Sequence, residues 1–385
     1  MRKICFVTGT RAEYGLLSRL MRLVNEDKDL RLQVIATNMH LIPEYGETYK
    51  EIEKDGFTID KKVYMHKPSD DAHGIISSMA EEMQGMNDAL SELKPDILVL
   101  LGDRYEILVA AQVALIHRIP IAHIHGGEVT EGAFDDAIRH SVTKMSSLHF
   151  TSCEEYRHRV IQMGEQPSRV FDVGSLGVEN IKAVPLMTKD ELEASLDFKI
   201  DNQTILVTYH PVTLGSDPAK DIHEFLDALD KFKDLKVIFT MPNSDTGRDA
   251  IAFAVENYVE KHSNTNSAKA YTSLGLKRYL STLQFVKAAV GNSSSGIIEV
   301  PSFGIPTLNI GDRQKGRLAS KSVVNCGTSK DEVIAGLKLC LSEEMQKAAK
   351  TYENPYAKPG TANLIYQELK NVELAGLNLK TFYDL

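Results

Sequence analysis

Cysteine is scarce. Cys5, Cys153, Cys326 and Cys340 are the only four in 385 residues. They form no C-x-x-C pair and no zinc-like grouping, so a disulfide framework and a structural zinc site are both excluded, and the four read as buried free thiols of a reducing compartment. Long apolar runs are missing too. Nothing approaches the roughly 18–20 residues of a membrane span. Behind Met1-Arg2-Lys3 only Ile4-Cys5-Phe6-Val7 are apolar, too few for a signal-peptide core, so a cytoplasmic protein is expected. Positive charge does not prevail either: 44 basic against 53 acidic side chains leave a formal net charge of −9. Such a chain has no bulk field for nucleic acid or an anionic membrane surface. An anionic ligand must then be held by local groups. With 43% hydrophobic and 25% charged residues the composition is that of a globular protein. At roughly 100–200 residues per domain, the length suggests two domains.

One pattern repeats along the chain: a short apolar run, a polar or glycine-bearing turn, then an amphipathic stretch. Lys3–Val7, Leu32–Ala36, Ile97–Leu101, Ile119–Ile124 and Val170–Val173 read as strands buried on both faces. Leu16–Val24, Ile75–Leu93 and Tyr105–His117 read as the helices between them. The rhythm pauses near Ile181–Asp201, where Thr188-Lys189-Asp190-Glu191 is a capping box. It resumes with Thr204–Thr208, Lys236–Thr240, Phe285–Val290 and Thr307–Ile310. Strands alternating with helices predict an α/β protein of two Rossmann-like, doubly wound domains, over residues 1–180 and 181–361. A final helix is expected over 362–385, after the loop Asn354–Gly360.

In such sheets ligands bind beyond the carboxyl ends of the strands. The first of these turns, Thr8-Gly9-Thr10-Arg11-Ala12-Glu13-Tyr14-Gly15, leads a strand into a helix and would present N–H groups to an anion, with Arg11 adding a charge. A dinucleotide site also needs an acidic residue ending the second strand; Thr37-Asn38-Met39-His40 has none, which disfavours nicotinamide chemistry. Asp103-Arg104 follows one of the most apolar strands, and His123-Ile124-His125-Gly126-Gly127-Glu128 the next. Asp135 and Arg139 stand four apart, on one face if helical. Together Asp103, His125, Glu128 and Asp135 form a titratable cluster of the kind that acid–base catalysis uses. The second half differs. Its turns are Tyr209-His210-Pro211, Pro242-Asn243-Ser244-Asp245 and Gly291-Asn292-Ser293-Ser294-Ser295-Gly296 leading to Glu299, then Gly311-Asp312-Arg313. A Gly/Ser turn opening a helix suits phosphate, and a carboxylate one turn on suits ribose hydroxyls. Carboxylates and histidines gather in the first domain, donors and cations in the second.

These motifs occur in this order over residues 8–317 and closely resemble the hydrolysing UDP-N-acetylglucosamine 2-epimerases of sialic acid biosynthesis. The resemblance implies a glycosyltransferase-B architecture with an interdomain cleft, the terminal helix returning to the first domain, and no cofactor or metal. It further implies a nucleotide-sugar substrate and a homodimer or homotetramer. By the same resemblance Arg11 and His210 contact phosphates, Ser293, Ser294 and Gly296 the pyrophosphate, Glu299 the ribose and Arg313 the nucleotide side. Gly15, His40, Arg104, Asn243 and Asp245 join the substrate contacts, while Asp103, Glu128, Asp135 and Arg139 surround the sugar. Many relatives carry Glu where this chain has His125, which leaves acid and base unassigned among Asp103, His125, Glu128, Asp135 and His210. Met39-His40 matches the hydrolysing branch, where purely epimerising members carry Gln-His. The expected activity is anti elimination of UDP from UDP-N-acetylglucosamine to a glycal, then hydration to N-acetylmannosamine. UDP-2,4-diacetamido-2,4,6-trideoxyglucose is the alternative substrate. A glycosyltransferase of the same fold would need an acceptor sugar, and a non-catalytic sensor would leave the nucleotide sugar intact.

Overall fold

The computed structural model describes residues 1–66, 71–131, 133–212, 218–242 and 247–385. The chain divides into two compact units. The first comprises Met1–Glu128, Asp135–Asn180 and Tyr356–Leu385; the second comprises Val129–Phe134 and Ile181–Pro355. The boundaries thus depart from a simple cut at residue 180. The Glu131 N–H donates to the Lys315 carbonyl at 3.3 Å, tying Val129–Phe134 to the second unit. Tyr356 belongs to the first, its hydroxyl 2.8 Å from that of Tyr156.

The first unit holds seven strands: β1 (Arg2–Thr8), β2 (Leu30–Thr37), β3 (Lys61–Val63), β4 (Ile97–Leu101), β5 (Ile121–Ile124), β6 (Leu148–Thr151) and β7 (Val170–Asp172). They form one parallel sheet in the order β3-β2-β1-β4-β5-β6-β7. Successive side chains point to opposite faces of a strand. Ile4 and Phe6 of β1 therefore join Ile97, Val99 and Leu101 of β4 on one face, under the helix Arg11–Glu26. Cys5, Val7, Leu98 and Leu100 face the helices Ala72–Leu93 and Tyr105–Ile116 on the other. Both faces are covered, which is why these strands read as continuous apolar runs.

The second unit repeats the plan with β8 (Thr204–Thr208), β9 (Lys236–Thr240), β10 (Ala268–Tyr271), β11 (Ala288–Gly291), β12 (Thr307–Ile310) and β13 (Val323–Cys326), parallel in the order β10-β9-β8-β11-β12-β13. Ile205 and Val207 face one core and Leu206 the other. The Thr188 capping box is formed, with Glu191 accepting the Thr188 N–H at 2.9 Å.

The last helix spans Thr361–Asn371, not 362–385. Ala362, Ile365 and Leu369 make one fully buried stripe against the first unit. Beyond Asn371 tertiary contacts replace helical ones: Lys380 donates to the Lys144 and Ser146 carbonyls at 2.8 and 2.6 Å, and the Tyr383 N–H donates to Gly164 at 2.9 Å. Among the described residues no helix is long and apolar enough to cross a membrane.

In each sheet the connections reverse direction between the first strand and the fourth, β1 beside β4 and β8 beside β11. Ligands of doubly wound sheets bind at the carboxyl ends near such a point.

Candidate active site

After β5 the chain turns through His125-Gly126-Gly127-Glu128. His125 is left-handed, with φ +67°, a conformation that costs a residue bearing a Cβ about 1–2 kcal/mol. Strain of this kind gathers at functional sites. Its N–H donates to the Phe150 carbonyl of β6 at 2.8 Å, which holds the turn. The turn returns Glu128 to the ring: His125 Nδ1 lies 3.1 Å from Glu128 Oε1, and Ser152 Oγ donates to the same oxygen at 2.8 Å. All three are buried, with 7%, 3% and 0% exposure. Nδ1 is thereby set against the Glu128 carboxylate, and Nε2 is the ring nitrogen turned away from it. Among the described residues Nε2 is buried without a partner.

Arg139 ties the neighbouring loops together. It is 1% exposed. Its Nη2 donates to Asp103 Oδ2 beyond β4, and its Nη1 donates to the Glu128 carbonyl at 2.9 Å and to Asp136 Oδ1 at 3.2 Å. The rigid fork of five donors suits guanidinium to this task. His123 steadies the same loop from within β5, its Nε2 2.8 Å from the Gly102 carbonyl and its Nδ1 3.1 Å from Thr143 Oγ1. Burial pushes its pKa down to about 3, so the ring is neutral. Asp135, the first residue of the helix Asp135–Met145, is buried as well. Asp103, His125, Glu128 and Arg139 are thus brought together. Ser152 joins them, a residue that sequence reasoning passes over.

The turn after β1 departs from expectation in part. Glu13 takes two of its N–H groups: Oε2 accepts from Gly9 at 2.8 Å and from Thr10 at 3.2 Å, and Thr10 Oγ1 accepts from the Glu13 N–H at 3.2 Å. This is a capping box. A Cβ on Gly9 would stand 2.6 Å from Glu106 Oε1, so only glycine leaves room for that buried carboxylate. Burial, then the charge of Glu106, pushes the Glu13 pKa up to about 8, against the pull of Arg104 and the two amides. Arg104, expected at the substrate, is 8% exposed, with Nε donating inward to Glu106 at 2.7 Å. Arg11 pairs with Glu51 at 2.5 Å. His40 is fully buried between Thr8 Oγ1 at 3.0 Å and Thr48 Oγ1 at 2.8 Å, so it presents no ring nitrogen to a ligand; burial lowers its pKa to about 4. Gly15 is buried in its helix, its carbonyl accepting from Asn180 at 3.0 Å.

In the second unit the ends of β8 and β11 nearly touch. Gly291 has φ +131°, and a Cβ there would run into the Thr208 carbonyl, a close approach that only glycine permits. Asn292, fully buried, brackets the main chain of His210 with its amide. The turn then continues through half-buried Ser293 and Ser294. Their carbonyls accept from Gly296 at 3.1 Å and from Ile297 at 3.0 Å, and among the described residues no side chain caps the N–H groups of Ser293, Ser294 and Ser295. Gly296 packs on β12, its carbonyl accepting from Thr307 Oγ1 at 2.6 Å. Glu299 ends the short helix Ser295–Ile298 and is half-buried, as is Arg313 in the loop after β12. Asn243 and Asp245 lie outside the described residues.

Comparison with known proteins finds full-length relatives. The GDP/UDP-N,N'-diacetylbacillosamine 2-epimerase (hydrolyzing) of Campylobacter jejuni is 44% identical over 385 residues, covering 100% of this chain and 99% of that protein. The polysialic acid biosynthesis protein P7 of Escherichia coli is 38% identical over 388 residues, covering 100% and 98%. The S. aureus MnaA-UDP co-structure superposes with a TM-score of 0.80 at 17% identity, covering 100% of both chains, a likeness of fold. Residues 22–370 match the family described as UDP-N-acetylglucosamine 2-epimerase. Two doubly wound units, the full-length relatives and this match lead to one conclusion: the chain belongs to the UDP-N-acetylglucosamine 2-epimerase family.

Proposed function

We propose that this protein is a hydrolysing 2-epimerase of a UDP-linked 2-acetamido sugar. Its preferred substrate is UDP-N,N'-diacetylbacillosamine, the 2,4-diacetamido-2,4,6-trideoxy sugar. The buried chain Ser152–Glu128–His125, ending on an imidazole nitrogen with no partner among the described residues, supports the reaction class. The 44% identity with the Campylobacter enzyme supports the sugar. UDP-N-acetylglucosamine is the second reading, favoured by the motifs shared with the sialic acid branch and by the 38% relative named for polysialic acid biosynthesis.

The hydrogen on C2 of the sugar is weakly acidic, and UDP leaves C1 once its charge is stabilised. His125 Nε2 takes the C2 proton as the C1–O bond breaks. The electron pair becomes the C1=C2 double bond of a 2-acetamido glycal, and UDP departs with the C1–O electrons. Ser293, Ser294, His210 and Arg313 of the second unit meet the charge growing on the diphosphate, and Glu299 holds the ribose. Asp135, entering this step protonated, then gives its proton to C2 from the opposite face while water adds at C1, and the proton that water sheds passes to the Asp103 carboxylate. Inversion at C2 needs two proton-handling groups on two faces, so one histidine is not enough. Glu128 does not take the proton itself; it fixes the ring that does. A well-placed acid or base contributes about 10²–10⁴-fold.

Incubation with each UDP-sugar separately in D₂O, read by NMR, tests both parts. UDP and a free 2-epimer carrying deuterium at C2 are expected, released faster from the diacetamido sugar. An intact UDP-sugar or a product unlabelled at C2 overturns the reaction; faster release from UDP-N-acetylglucosamine overturns the choice of sugar.

A further inference from the structure

One buried amide joins three strand-end loops of the second unit. The His210 N–H donates to Asn292 Oδ1 at 2.7 Å, and Asn292 Nδ2 donates to the His210 carbonyl at 2.8 Å. The Asn292 N–H donates to the Thr208 carbonyl at 3.1 Å, and the Asn292 carbonyl accepts from Gln314 Nε2 at 2.9 Å. Asn292 is fully buried and Gln314 is 2% exposed, so neither set of bonds competes with bulk water. The loop after β8 carries His210, the turn after β11 carries Ser293 and Ser294, and the loop after β12 carries Arg313 and Gln314. The side chain and main chain of Asn292 hold all three in one register.

The chemistry of the side chain is specific. The His210 main chain offers one donor and one acceptor, and at this length only asparagine returns one acceptor and one donor. Aspartate has the same shape but sets an oxygen against the His210 carbonyl. Alanine supplies neither partner.

We propose that Asn292 is a positioning residue for the elimination step: it sets the place of His210 relative to the Ser293–Ser294 turn, and Gln314 braces it from the β12 loop. This rests on the reading that His210 meets the charge of the departing diphosphate. Misplacing a reacting group by about 1 Å costs on the order of 100-fold in rate. Because Asn292 acts through His210, its loss should have no further effect once His210 is gone.

The experiment uses the full chain in a double-mutant cycle of Asn292→Asp and His210→Gln, with kcat, KM and UDP affinity by calorimetry. Asn292→Asp should lower kcat about 100-fold, while the double variant is no slower than His210→Gln alone. Additive losses, or wild-type kcat in Asn292→Asp, overturn the proposal. Gln314→Ala keeps the amide pair and removes only the brace. It should lower kcat about tenfold, and an unchanged kcat in that variant also overturns the proposal should Asn292→Asp fail to fold. His210→Gln with undiminished turnover would instead defeat the underlying reading of His210. If neither sugar is turned over, NMR titration of the His210 ring still decides: its midpoint should differ between wild type and Asn292→Asp, and an unmoved midpoint overturns the inference.

Discussion

The turn after β1 and the turn after β11 both flank the reversal point of their sheets, and both look like anion cradles in the sequence. They do opposite things. In the first, the Glu13 carboxyl occupies the N–H groups of Gly9 and Thr10. In the second, the third helical position is Ile297, and among the described residues no side chain takes the N–H groups of Ser293 to Ser295. One side chain at one helical position decides whether the N–H groups that precede the helix stay available. The same contrast runs through the two units. Buried titratable groups crowd the strand ends of the first, including Glu13, Glu106, His125 and Glu128. Asn292, Ser293, Ser294, His210 and Arg313 stand after those of the second. The proposed function puts chemistry on the sugar in one unit and grip on the nucleotide in the other.

The largest effect should come from His125→Gln, which lowers kcat about 10²–10⁴-fold while UDP affinity by calorimetry stays near wild type. A matching loss of UDP affinity would break the division of labour. Replacing Ser293 and Ser294 together by Ala should do the reverse, weakening UDP binding about tenfold, as expected from about 0.5–1.5 kcal/mol per hydrogen bond.

A smaller effect concerns pH and the first unit. Glu13 titrates near 8 in the folded chain against an ordinary value of 4.5, so the native state keeps a proton that the unfolded chain has released. Its stabilising contribution is full below about 4.5 and is lost as pH rises through about 8. Urea midpoints measured from pH 5 to 9 should fall in wild type and fall less in Glu13→Gln; identical slopes would refute the assignment. His40 works on the acid side. Its pKa is lowered to about 4 from 6.5, so the stability it contributes is present above 6.5 and is lost as pH falls through about 4. The smallest change should follow Glu51→Gln. The Arg11–Glu51 pair is about one-third exposed, and its loss should lower the stability read from urea unfolding by no more than about 1 kcal/mol.

Sequence alone located the fully buried strands well. Ile97–Leu101, Thr204–Thr208, Lys236–Thr240 and Thr307–Ile310 are found where their apolar runs end. Phe285–Val290 slips to Ala288–Gly291 because Phe285 and Val286 close the preceding turn, their N–H groups donating to Thr282 at 3.0 and 3.2 Å. The short strands Lys61–Val63, Ala268–Tyr271 and Val323–Cys326 lie at sheet edges and carry no long apolar run. The plug in the first turn was legible: Thr10-x-x-Glu13 is the same signature as Thr188-x-x-Glu191. The positioning groups were not. Asn292 meets His210 across 82 residues and Ser152 meets Glu128 across 24, and no local pattern announces partners brought together by sheet pairing.

The return of Tyr356–Leu385 to the first unit gives the chain a nested order, the second unit being an insertion in the first. A nascent chain can bury both cores of its second unit while the first still lacks the Ala362–Ile365–Leu369 stripe. The portion made earliest is therefore finished last. A lesion in Tyr356–Leu385 acts on the core of the unit that Met1–Glu128 opens.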